Sequence, residues 1–177
     1  MKKLLILMLV AALVIAAIPT VVMAQASLPF TTDLIADGRG EALDVGDLTV
    51  DADGTITFQI DEANTDWRLD ETHLYVGDLA PAKSAPGKFP YKDEELGGVS
   101  SVAYSVDLAA YDADGDGIVY VAAHAALIMQ IGEDPDTGEP IYDYESAWAQ
   151  GDEAIGKGRN WATCFAVTVP VEETPAE

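Results

Sequence analysis

Apolar and polar positions alternate with a period of two through most of the chain, and no stretch sustains the 3.6-residue period of a helix. Leu43, Val45, Leu48 and Val50 lead into Asp51-Ala52-Asp53-Gly54, after which Ile56, Phe58 and Ile60 alternate with Thr55, Thr57 and Gln59. This predicts a β-hairpin turning at Asp53-Gly54. A strand is expected from Trp67 to Val76, carrying Leu69, Thr72, Leu74, Tyr75 and Val76. Asp78 to Gly98, rich in proline, glycine and charge, reads as a long surface loop. Val102, Tyr104, Val106 and Leu108 share one face of a further strand. Ile118 to Met129 is almost continuously apolar, which suits a central strand buried on both faces or one that bends across the sandwich. A turn-rich stretch opens at Gly132 to Glu139, and the segment from Gly132 to Lys157 is expected to form a second long loop. The last strand, Trp161 to Val169, should place Phe165, Val167 and Val169 on one side, with Cys164 and Ala166 on the other. The set predicts an all-β fold, a two-sheet antiparallel β-sandwich with two long loops.

The two ends change this picture only by trimming it. Met1-Lys2-Lys3, an apolar run from Leu4 to Ala17, Pro19 and the small-residue stretch Val22-Met23-Ala24-Gln25-Ala26 predict a secretory signal peptide over residues 1–26, cut after Ala24 or Ala26. The run approaches the length of a membrane span, but Pro19 sits where it would break a spanning helix. Residues 27–170 are then one domain and 171–177 an acidic tail, with no stable membrane span after cleavage. Cys164 is the single cysteine, so no intrachain disulfide forms, and packing, metal or assembly must hold a secreted domain together.

Charge narrows the partners. The chain carries a formal charge of −22, and removing Lys2 and Lys3 with the leader makes it 7 − 31 = −24. Such an excess of carboxylates argues against nucleic acid as a partner; it fits a salty environment, bound divalent cations, or both, and simple solubility equally well.

Several motifs follow one another in order: Glu71-Thr72-His73-Leu74-Tyr75-Val76-Gly77, Pro86-Gly87-Lys88-Phe89-Pro90-Tyr91, Tyr120-Val121-Ala122-Ala123-His124-Ala125, Glu145-Ser146-Ala147-Trp148 and Asn160-Trp161-Ala162-Thr163-Cys164-Phe165. Together with Val45-Gly46-Asp47-Leu48-Thr49-Val50 and Asp53-Gly54, this succession resembles a module of secreted prokaryotic proteins that has no assigned activity. The resemblance covers nearly all of the chain after the leader. It implies a secreted β-sandwich and nothing catalytic. The chain departs from that pattern in carrying Cys164 where an aromatic is common and in the insertion Asp112 to Gly117.

That insertion is the best chemical lead. In Asp112-Ala113-Asp114-Gly115-Asp116-Gly117, alternate aspartates precede a glycine, as at the start of an EF-hand calcium loop, where a backbone carbonyl at Ile118 would be a further ligand. The position of the bidentate glutamate is Ala123, and a strand rather than a helix follows, so this is no EF-hand. Asp112, Asp114, Asp116 and Ile118 are therefore candidate Ca2+ ligands in a hairpin loop, while a plain polar turn would use the same residues. His73 and His124 are the only histidines; with Glu71 they have the chemistry for zinc binding or acid–base work, or for a hydrogen-bonded structural network. Tyr142, Tyr144 and Trp148, set among acids, are the candidates for an exposed sugar-stacking surface. No nucleophile elbow, zinc-protease, P-loop or dinucleotide motif occurs. The functional expectation is a secreted, non-enzymatic structural or partner-binding module, calcium-stabilised, with carbohydrate binding or a Glu71/His73/His124 hydrolase as the alternatives; the protein or glycan partner and the oligomeric state stay open.

Overall fold

A computed structural model describes residues 25–37, 42–156 and 161–169. Residues 1–24 of the predicted signal peptide and the predicted acidic tail, 171–177, lie outside the described residues. Eleven strands make up the fold: β1 (Gln25–Ser27), β2 (Phe30–Ala36), β3 (Leu43–Val50), β4 (Thr55–Ile60), β5 (Arg68–Gly77), β6 (Tyr91–Asp93), β7 (Ser101–Ser105), β8 (Ile118–Glu133), β9 (Pro140–Ala149), β10 (Glu153–Ala154) and β11 (Thr163–Thr168). Two 3-10 turns, Pro86–Lys88 and Leu108–Tyr111, are the helical content among the described residues. None of these is long or apolar enough to cross a membrane.

The expected all-β class holds, but the strands belong to one mixed sheet rather than two separate antiparallel ones. Its order is β1-β11-β8-β9-β2-β3-β4-β7, with β5 on β8, β6 on β5 and β10 on β11. The β1–β11 pair is parallel. β8 is the hub, and its sequence explains why. Tyr120 and Val121 pair with both β5 and β11, and His124 to Ile128 pair with both β5 and β9. β5 therefore takes one edge of β8, while β11 and β9 share the other. A strand enclosed laterally and on both faces needs apolar residues at consecutive positions, and β8 supplies them. Ala123 faces the main core and Ala122 a second cluster on the opposite face.

The sheet folds over on itself around the main core. Leu34, Leu48, Ile56 and Phe58 from β2, β3 and β4 meet Leu74, Val121, Leu127 and Val167 from β5, β8 and β11 in a single cluster. Phe30 and Phe165 close one side with ring centroids 4.9 Å apart. Thr72 is the fully buried polar residue of this core, and its hydroxyl is paired with the Tyr104 hydroxyl at 2.7 Å. The second cluster lies on the outer face of β8 and β11, where Phe89, Ile155 and Ala162 cover Ala122, Trp148 and Cys164. The last strand thus has the two faces its sequence predicts, Phe165 and Val167 inward and Cys164 outward into the smaller cluster.

Two loop expectations are corrected. The segment expected as a loop from Gly132 to Lys157 contains the ten-residue β9 and the short β10. Loop proper spans Asp134 to Glu139, closed by Asp134 N–H to Glu139 O at 2.7 Å. The first half of β9 projects with β8 beyond the core and is solvated on both faces, so no apolar alternation marks it. The Asp78 to Gly98 loop likewise contains β6, held on the edge of β5 through His73, Leu74 and Thr72. β7 ends at Ser105, although Val106 and Leu108 continue into the core as expected.

Candidate functional site

The aspartate loop before β8 folds as a series of side-chain-to-backbone turns. Asp114 Oδ1 accepts the Asp116 N–H at 3.2 Å, Asp116 Oδ1 accepts the Ile118 N–H at 2.9 Å, and Asp112 Oδ2 accepts the Gly117 N–H at 3.1 Å. Gly115 and Gly117 have φ of +74° and +77°, a region that L side chains rarely adopt, so glycine is needed to coil the loop this tightly. Antiparallel pairing of β5 with β8, ending at Gly77 opposite Tyr120, brings in Asp78 from the other strand. Its Oδ1 accepts N–H groups of Ala113 and Asp114 at 2.9 and 3.3 Å.

The carboxylates of Asp78, Asp112 and Asp114 each offer an oxygen within 4.8 Å of the others. Asp112 Oδ1 is buried and has no hydrogen-bond donor among the described residues. A buried carboxylate oxygen without a donor is costly, and a hard cation is one group that satisfies it. Of the predicted ligands, then, Asp112 and Asp114 come together; Asp116 lies outside this group and turns an oxygen to the Ile118 N–H, and Ile118 begins β8. Asp78 was illegible in the sequence, because only the register of β5 on β8 places it here.

A second constellation lies on the outer face of β5, β8 and β9. Thr72 and Leu74 point into the core, so His73 between them points out; the same alternation turns His124 outward between Ala123 and Ala125. The two histidines are directly cross-strand. Their Nδ1 atoms stand 3.3 Å apart and their rings are tilted 48°. Beyond His73, its Nε2 faces Glu94 Oε1 at 3.4 Å and Glu71 Oε2 at 3.9 Å. Lys92 binds both oxygens of Glu94, at 3.0 and 2.9 Å, and this hydrogen bonding holds the Glu94 carboxyl below the usual range, with His73 adding to it. Trp148 packs edge-on against His124 with centroids 5.0 Å apart. Burial, reinforced by the neighbouring His73, pushes the His124 imidazole down to about 4. His73 itself is 4% exposed.

The predicted aromatic surface divides. Tyr144 is 64% exposed and Tyr142 also lies open, but Trp148 is buried in the smaller cluster beneath Phe89. Tyr142 lines a cleft of about 350 Å³ with Asp66, Arg68 and Gln130. Cys164 is fully buried, and burial, with Glu153 nearby, pushes its thiol up to about 12, the opposite of what a nucleophile needs. Comparisons with known protein families, with characterised proteins and with solved structures find no match.

Proposed function

We propose that this chain is a secreted, non-enzymatic structural or partner-binding module whose loop end is fastened by calcium. The observation that carries the reading is the buried Asp112 Oδ1, without a donor and flanked by the carboxylates of Asp78 and Asp114. Oxygen-only donors of full negative charge suit Ca2+ rather than a soft metal. An ion held there would tie the end of β5 to the start of β8, the hub strand, in a domain that has no disulfide to do so. The high negative charge acts in the same direction, since it concentrates cations near the surface.

Thermal unfolding in EDTA and in millimolar Ca2+ tests the reading. At a hundredfold excess over Kd, an ion bound to the folded state alone adds about 2.7 kcal/mol, a rise of roughly 5–10 °C for a domain of this size. Asp112→Asn keeps an oxygen for Gly117 while removing the charge; it should unfold at a similar temperature in EDTA and lose most of the calcium response. Asp78→Asn should do the same, and Asp116→Asn should retain more of the response. Equal melting temperatures with and without Ca2+ would sink the proposal.

A second reading, carbohydrate binding, is favoured by one observation: Tyr142 and Tyr144 lie open on one face of β9, and Tyr142 borders a polar cleft with Asp66, Arg68 and Gln130. An open tyrosine ring beside hydrogen-bonding groups is what stacking on a sugar requires. Binding on a glycan array that Tyr142→Ala abolishes supports it, and an array without signal removes it. Trp148, being buried, is not part of that surface.

A further inference from the structure

We infer that His73 and His124 form a binding site for a divalent transition-metal ion, zinc being the best fit, separate from the aspartate loop. Two nitrogens bound tetrahedrally at about 2.0–2.1 Å stand about 3.3–3.4 Å apart. The two Nδ1 atoms are 3.3 Å apart. The backbone holds this spacing, because the residues are a directly opposed pair on β5 and β8, between ladder partners Leu74↔Ala123 and Thr72↔Ala125.

The surroundings are those of a metal-binding histidine. An imidazole that ligates through one nitrogen usually donates its other N–H to a carboxylate, which fixes the tautomer and raises the basicity of the ligating atom. Nε2 of His73 has that partner in Glu94, with Glu71 next to it. With the proton held at Nε2, His73 Nδ1 keeps a free lone pair, 3.3 Å from His124 Nδ1. Lys92 anchors Glu94 through both oxygens, so the carboxylate is itself oriented. Imidazole nitrogens select zinc, copper or nickel over calcium, just as the aspartate loop selects the reverse. Two protein ligands leave the remaining positions to water. The ion would reach the pair past His124, which is only partly buried, whereas His73 is closed off.

The competing arrangement is a hydrogen bond in which one proton is shared between the two Nδ1 atoms. Titration of the EDTA-treated, dialysed protein with Zn2+, followed by calorimetry and by the ring-nitrogen NMR signals of the two histidines, separates them. The expected result is one equivalent bound, with both Nδ1 resonances shifted and both Nε2 protonated. His73→Gln and His124→Gln should each lose that binding, Glu94→Gln should weaken it about tenfold, and Asp112→Asn should leave it intact. The NMR readout on the unmutated chain decides the matter even where a histidine variant does not fold. Unchanged Nδ1 resonances at a tenfold excess of Zn2+, or zinc heat that survives both histidine variants, would overturn the inference. Because the aspartates take no part, that failure leaves the calcium reading untouched, and failure of the calcium reading leaves this one standing.

Discussion

His124 shows how a single side chain can make the fold acid-sensitive. In the folded protein its imidazole is held neutral, with a pKa of about 4 against an ordinary 6.5, by burial and then by His73. The groups facing it are His73 on β5, with Glu71 and Glu94 behind, and Trp148 on β9. Between those two pKa values the unfolded chain binds a proton that the folded chain refuses. The stabilisation is therefore present above about pH 6.5 and lost as pH falls toward 4, by at most roughly 3 kcal/mol since the ring is only partly buried. Urea unfolding of metal-free protein at pH 7 and pH 5 should show this loss, and His124→Gln should flatten the difference relative to the parent. An identical pH dependence in the variant would remove His124 as its origin. Cys164 gives the complementary case. With its thiol pushed up to about 12 inside the smaller cluster, it should resist thiol reagents at pH 8 in the native state and react at once in denaturant. Both histidines could be picked out in the sequence as chemistry-bearing, but their pairing could not: Glu71 and His73 are near neighbours in the chain, whereas the contact between His73 and His124 spans fifty-one positions.

At the scale of elements, one turn legible in the sequence is also hard to replace. Gly54 closes the β3–β4 hairpin with φ of +81°, donates to Asp51 O at 3.0 Å and accepts the Val106 N–H at 2.9 Å. A Cβ at this position would run into the Val106 carbonyl oxygen. Gly54→Ala should thus cost more than the about 1–3 kcal/mol of a strained turn alone, because the chain leaving β7 must also move. Denaturant unfolding reads this directly, and a loss within error would show that the approach relaxes freely. Across the core, Tyr104→Phe removes the partner of the fully buried Thr72 hydroxyl and should cost about 1–2 kcal/mol. The double variant with Thr72→Val should recover part of that loss, since neither polar group then remains. β9 marks the limit of pattern reading. Its second half, Ala147 to Ala149, is buried against β8 and β2, but its first half is open on both faces. Alternation appears where one face is covered and the other wet, and there neither is covered.

For the whole molecule, a formal charge of −22 pushes the compact state apart. In EDTA, the melting temperature should climb as NaCl is raised from low to physiological ionic strength, where the screening length shrinks to about 8 Å. A melting temperature independent of salt would show that the charges are too dispersed to matter. The amino-terminal end supplies a second test. Gln25, Ala26 and Ser27 pair in parallel with Ala166, Val167 and Thr168, so a chain beginning at Gln25 keeps β1 and one beginning at Ser27 loses most of it. The shorter chain should melt at lower temperature; of the two predicted cut sites, the one after Ala24 keeps β1 whole.

The alternating pattern, the Asp-Gly turns and the nearly unbroken apolar run of β8 determine an all-β chain with its hairpins and its central strand, because these depend on neighbours within a few residues. The aspartate loop is local in the same sense; its glycines and side-chain turns lie within the seven residues Asp112 to Ile118. What surrounds a residue from across the sheet is not local. Register alone brings Asp78 to Asp112 and sets His73 against His124, and the packing of Phe89 from a loop buries Trp148 while Tyr142 and Tyr144 stay open. The joining of all the strands into one mixed sheet was likewise decided by pairings between distant segments, β1 with β11 and β2 with β9. Period-two alternation specifies which face of a strand is apolar, but many pairings satisfy that condition equally, and packing of the whole core selects among them.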